Sequence, residues 1–184
     1  MSEHIKAYFE KIHNQLKRLE KKYNPNRKDL HFANEAIPKV DDKLFYNLLK
    51  LSGKAIDIIK DEQNHYSNKT AYAHVMFDFW YDYFLLISSA SIRINTSANS
   101  NDYPQETIYN IIEDLINISE FSTIVSGDLY FRNHEALGNT LLAFYSVNLM
   151  NFLKNKKKLI TSESMKDFLD GTIKDVKKYM NKRK

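Results

Sequence analysis

The stretch Ala71–Ile94, AYAHVMFDFWYDYFLLISSASIRI, decides how this chain is read. It holds the only tryptophan, Trp80, and the densest aromatic cluster of the sequence. Apolar residues fall on nearly every side of it at helical spacing, the pattern of a helix covered by neighbours rather than laid on a surface. Asp78, Asp82 and Arg93 interrupt the apolar run, which argues for a core helix over a membrane span. The apolar side is predicted to run through Met76, Trp80, Tyr83 and Ile87. The opposite side carries His74, Asp78, Asp82 and Arg93.

Outward from this stretch the chain reads as more helices. Ile5, Phe9, Ile12, Leu16, Leu19 and Tyr23 make one stripe that ends at Asn24-Pro25-Asn26. A second helix is expected from Asp41, striped by Leu44, Leu48, Leu51, Ala55 and Ile58. After the turn-rich NTSANSNDYP, a helix beginning near Asp102, with Pro104 in its first turn, shows Ile108, Ile111, Ile112, Leu115 and Ile118. FSTIVSGDLYF reads either as helical turns broken at Gly127 or as a short extended piece. The spacing then predicts one helix from about Asn133 to Lys154, with Asn133 as its cap. A last helix starts near Thr161 or Ser162 and is striped by Met165, Phe168, Leu169, Ile173, Val176, Tyr179 and Met180.

The expected fold is therefore all-α, a single-domain bundle of five to six helices around the central apolar one. With 184 residues, 4 Gly and 3 Pro, the chain is long enough for a real core but poor in the turn formers that a sandwich or barrel needs. The absence of cysteine excludes disulfides, thiolate nucleophiles and zinc–cysteine sites. Together with an N-terminus that lacks a leader-like apolar run, it suits a cytoplasmic protein without a membrane partner.

Charge is unevenly spread. Residues 1–28 carry a net +5 and residues 154–184 a net +7, whereas residues 29–153 carry −8, so the overall +4 conceals basic ends and an acidic middle. Lys17, Arg18, Lys21 and Lys22 at one end, and Lys156, Lys157, Lys158, Lys177 and Lys178 at the other, form the candidate binding surface. Such a surface attracts nucleic acid or an acidic protein in a salt-dependent way. The same lysines also suit plain solvated faces, or contacts with the acidic middle within one molecule or across a homodimer. Arginine is scarce, and no recognition-helix or RNA-binding signature stands out.

Two polar constellations compete with this reading. His74, Asp78 and Asp82 follow at steps of four on one helix side, the residue types of acid–base chemistry or metal ligation. They equally suit a solvated face or a polar helix crossing. Glu10…His13 and Glu62…His65 repeat the Glu-x-x-His spacing that di-iron bundles use on two helices. No phosphate loop, nucleophile elbow or His-Glu-x-x-His motif is present, and no cofactor is implied. The sequence favours a non-enzymatic binding, regulatory or inhibitor-type protein. By association rather than physics, its small size, lysine richness and lack of catalytic motifs lead to the expectation of a phage- or mobile-element-encoded protein. The alternative is an enzyme or metal-binding bundle built on the His/Asp stripe.

Overall fold

The computed structural model describes residues 7, 10, 11, 14, 15, 17, 18, 21, 47, 50, 77, 80, 81, 83–85, 87, 88, 91, 92, 104–119 and 127–182. Among them the fold is all-α. Four helices have defined bounds: α1 (Gln105–Asn117), α2 (Gly127–Ala143), α3 (Val147–Leu159) and α4 (Glu163–Lys182). The described positions between 7 and 21, at 47 and 50, and between 77 and 92 are helical as well.

The central segment behaves as its composition demands. Trp80, Tyr83, Phe84 and Ile87 are fully buried. Trp80 meets Tyr83 edge-on at 5.6 Å and stacks on Phe84 at 6.0 Å, so the aromatic cluster packs internally as well as against its neighbours. Tyr81 turns to a cation instead. The Arg132 guanidinium of α2 lies 5.5 Å from the Tyr81 ring centroid and bonds Glu135 at 2.8 Å. Burial alone lowers the Arg132 pKa, but hydrogen bonds to Glu135 and Tyr81 outweigh it and raise the value.

α2 touches the central segment, α1 and α4. Its apolar residues Leu129, Ala136, Leu137 and Leu141 are buried, and so are the polar residues Asn133 and Thr140. The contact with the central segment is polar and tight. Asn139 Nδ2 donates to Ser88 Oγ at 2.6 Å, and Ser91 Oγ stands 3.0 Å from Thr140 Oγ1. On the α4 side, Phe168 meets the Tyr130 ring at 5.4 Å and the His134 ring at 5.9 Å, both edge-on.

α1 buries the expected stripe, Ile108, Ile111, Ile112 and Leu115, with Ile116 and Ile118 added. Pro104 is its N-cap rather than a first-turn residue. Three of the carbonyls that a helix leaves orphaned in its last turn find donors here. Asp114 O accepts from Ile118 N, Ile116 O accepts from Ser119 Oγ, and Leu115 O accepts from Asn133 Nδ2 at 3.0 Å.

That last bond corrects the sequence reading. Asn133 is not the N-cap of its own helix, which begins at Gly127. It lies fully buried within α2 and caps the C-terminus of α1 from outside. Gly127 accordingly opens a helix, and the extended alternative for residues 127–131 does not occur.

The expected long helix to Lys154 is also two helices. α2 stops at Ala143, residues 144–146 form a short turn, and α3 restarts at Val147. Ser146 is extended and its Oγ accepts from Leu149 N at 3.1 Å, an ordinary N-cap that makes a break without Gly or Pro. α4 begins after Ser162, close to the expected place, and buries Phe168, Leu169 and Val176. Tyr179, assigned to its apolar stripe, is 41% exposed. The turn and connector at 24–39, the second helix expected from Asp41 apart from Asn47 and Lys50, the loop at 95–103 and residues 120–126 lie outside the described residues.

Candidate functional site

α3 contains no acidic residue and four lysines, and its packing sorts those lysines. Leu149 and Leu153 are buried, and Phe152 stacks on Tyr109 of α1 with ring centroids 4.2 Å apart. That inner contact carries Lys156 and Lys157 toward neighbouring carboxylates. Lys156 Nζ meets Glu113 of α1 at 3.0 Å, and Lys157 Nζ meets Asp170 of α4 at 2.5 Å. Lys154 and Lys158 point outward and have no carboxylate within 4 Å among the described residues. The basic last turn also complements the negative end of the helix dipole, which helps to explain the local abundance of lysine.

Beside the second half of α3 lies an open hollow of about 610 Å³, lined among the described residues by Asn151, Lys154, Asn155, Lys157 and Lys158. Amides donate and accept, whereas ammonium groups only donate. This lining therefore suits an anionic ligand that also offers hydrogen-bonding edges.

α4 divides its charge along its length. Glu163, Asp167 and Asp170 lie in its first half, with Lys166 held by Glu163 at 2.6 Å. Lys174, Lys177, Lys178 and Lys182 lie in its second half, all exposed, with the exposed Asp175 the one carboxylate among them. Lys177 and Lys178 follow Asp170 by roughly 10–12 Å of helix. At the other end of the chain Lys17, Arg18 and Lys21 are helical and exposed, and Lys22 lies outside the described residues. Of the lysines singled out from sequence, Lys158, Lys177 and Lys178 stand free of carboxylates among the described residues, whereas Lys156 and Lys157 tie α3 to its neighbours.

A second recess of about 200 Å³ lies between α2 and α4, lined by residues that include His134, Glu135, Asn139, Asp175 and Tyr179. His134 Nε2 is 3.8 Å from Asp175 Oδ2. Nothing in the sequence marks this pair, because His134 and Asp175 come from different helices and share no local spacing. The imidazole is engaged in packing: it contacts Phe168 edge-on and stacks with Tyr130 at 6.4 Å. Its carboxylate partner is 67% exposed, so the interaction is screened by water. Among the described residues no group of three or more His, Cys, Asp or Glu side chains is placed to hold a metal.

The His74, Asp78 and Asp82 set lies outside the described residues, as do His13, Glu62 and His65. Glu10 is helical and exposed. No described helix is long and apolar enough to cross a membrane. No protein-family model, curated protein or solved structure matches the chain.

Proposed function

We propose that this is a non-enzymatic binding protein of regulatory or inhibitor type, which holds a polyanionic partner, nucleic acid or an acidic protein, on its basic terminal helices. The observation that carries the reading is the sorting of lysines on α3 and α4. Lys154, Lys158, Lys174, Lys177, Lys178 and Lys182 have no carboxylate within 4 Å among the described residues, although the middle of the chain is acidic and Lys156 and Lys157 do find acidic partners. Cations left free in this way keep their field for an incoming anion. Lys17, Arg18 and Lys21, exposed on the N-terminal helical positions, extend the basic character.

The test is retention of the full chain on immobilised nucleic acid and on polyglutamate, each eluted with rising salt. Binding that falls steeply with salt on at least one of them is expected. Flow-through on both at low salt removes the reading.

A further inference from the structure

α4 is about 30 Å long, and its outer face is not uniformly basic. Glu163, Asp167 and Asp170 come first, then Lys174, Lys177 and Lys178, and all six are exposed. At 100° per residue they fall within an arc of about 100°. They make one stripe whose first half is acidic and whose second half is basic, with the two signs in equal number. Lys166 and Asp175 stand off this stripe. Lys166 reaches Glu163 from one side, and Asp175 is near His134 of α2 on the other.

Neither the helix dipole nor pairing within the helix accounts for these blocks. The dipole acts over the first and last turns, which hold Glu163 and Lys182; Asp167, Asp170, Lys174, Lys177 and Lys178 lie between them. Side chains three or four apart on a helix are neighbours, and like charges there repel. Glu163 and Asp167, Asp167 and Asp170, Lys174 and Lys177, and Lys174 and Lys178 all have that spacing. A lone helix bears this repulsion, and an opposing surface with the reverse order of charge offsets it.

We infer that α4 pairs antiparallel with α4 of a second copy of this chain, about a two-fold axis at the level of Thr172. A two-fold partner presents the same stripe in reverse, so the acidic block meets the basic block twice. Asp167 then lies across from Lys178 of the second copy, and Asp170 across from Lys174 and Lys177, with both contacts repeated by symmetry. Asp167, Lys174, Lys177 and Lys178 have no ion-pair partner within 4 Å among the described residues and are available for this. Asp170 holds Lys157 through Oδ2 and brings its second oxygen. A parallel pair would set like charge on like.

The inference goes beyond the polyanion reading and does not depend on it. A polyanion laid along α4 would run from the lysines onto three carboxylates, whereas a second copy matches both blocks. The two compete for Lys174, Lys177 and Lys178, and the pairing makes no use of Lys154 and Lys158 on α3. Exposed ion pairs each contribute little, so the association is weak, rests on several pairs together and falls with salt.

The test is sedimentation velocity on the full chain, from dilute to concentrated solution, at low and at high salt. A monomer–dimer equilibrium that moves toward monomer as salt rises is expected. Asp167→Lys alone and Lys177→Glu/Lys178→Glu alone should each weaken the dimer by about tenfold or more, since each sets like charge on like. Mixed in equal amounts, the two variants should dimerise again, because each supplies the sign the other has lost. Misfolded chains cannot produce that recovery, so the mixture also controls for loss of fold. A chain that stays monomeric throughout at low salt overturns the inference and leaves the polyanion reading, which is measured by retention, untouched. A dimer that persists in high salt or in the separate variants lies on another surface and overturns it as well. No recovery in the mixture overturns the antiparallel pairing.

Discussion

Ser91 and Thr140 join the central segment to α2 by a hydroxyl–hydroxyl bond of 3.0 Å in which both residues are fully buried. Thr140 Oγ1 already donates its single proton to Ala136 O at 2.8 Å. It must therefore accept from Ser91, whose hydroxyl is the donor. Thr140→Val keeps the shape but strands that donor, and should cost about 1–3 kcal/mol. The double variant Ser91→Ala/Thr140→Val should cost less than Thr140→Val alone, because no buried group is then left without a partner. Urea denaturation of the single and double variants reads the difference, and strict additivity would refute the donor assignment.

Gly138 lies inside α2 with no steric reason to be glycine. A Cβ built there meets Thr172 Cγ2 at 3.7 Å, an ordinary contact, and the backbone φ is not positive. Gly138→Ala should therefore stabilise the protein by about 0.5–1 kcal/mol, through helix propensity and a less flexible unfolded chain. A thermal melt should show a higher midpoint. A lower one would mean that α2 and α4 approach more closely than this contact indicates.

Phe131 and Phe168 offer a contrast within one residue type. Phe168 is 1% exposed, under the rings of Tyr130 and His134, whereas Phe131 is 62% exposed. Phe168→Ala should cost about 3–5 kcal/mol by cavity formation. Phe131→Ala should fall within about 0.5 kcal/mol of wild type. Comparable losses at both positions would show that Phe131 is covered in solution, for instance in a homodimer, and light scattering would then detect the assembly.

Among the described residues two ion pairs hold α3, and they differ in exposure. In the Lys156–Glu113 pair the side chains are 20% and 35% exposed; in the Lys157–Asp170 pair they are 42% and 51% exposed. Double-mutant cycles with Met for lysine and Gln or Asn for the acid should give a coupling near 1 kcal/mol for the first pair and less for the second. The second coupling should fade faster as salt is added, since water and ions reach it more readily. An equal, salt-insensitive coupling at both pairs would contradict the packing described.

Much of this architecture was legible in the chain. The stripes of α1 and α4 reported both their helices and their buried faces, because one-sided burial leaves a 3.6-residue period. In the central segment the side holding Trp80, Tyr83 and Ile87 is buried as read. The break between α2 and α3 was not legible. Leu137, Leu141 and Phe144 lead into Phe152 and Leu153 without an obvious change of pattern, since both helices face the same core. No Gly or Pro marks the turn, and Ser146 is too common a residue to announce a cap by itself.

By itself the sequence determined the helical class, the identity of most core residues and the concentration of lysine at the chain's ends, because these follow from local periodicity and composition. Only the tertiary structure decided what each polar group does. Asn133 satisfies a carbonyl of α1, Ser91 donates to Thr140, and Lys156 and Lys157 lean on carboxylates of other helices while Lys154 and Lys158 face outward. The physical reason is range: helix periodicity is set by neighbours three or four residues away, whereas hydrogen bonds and ion pairs are settled by partners that meet only after the helices have packed.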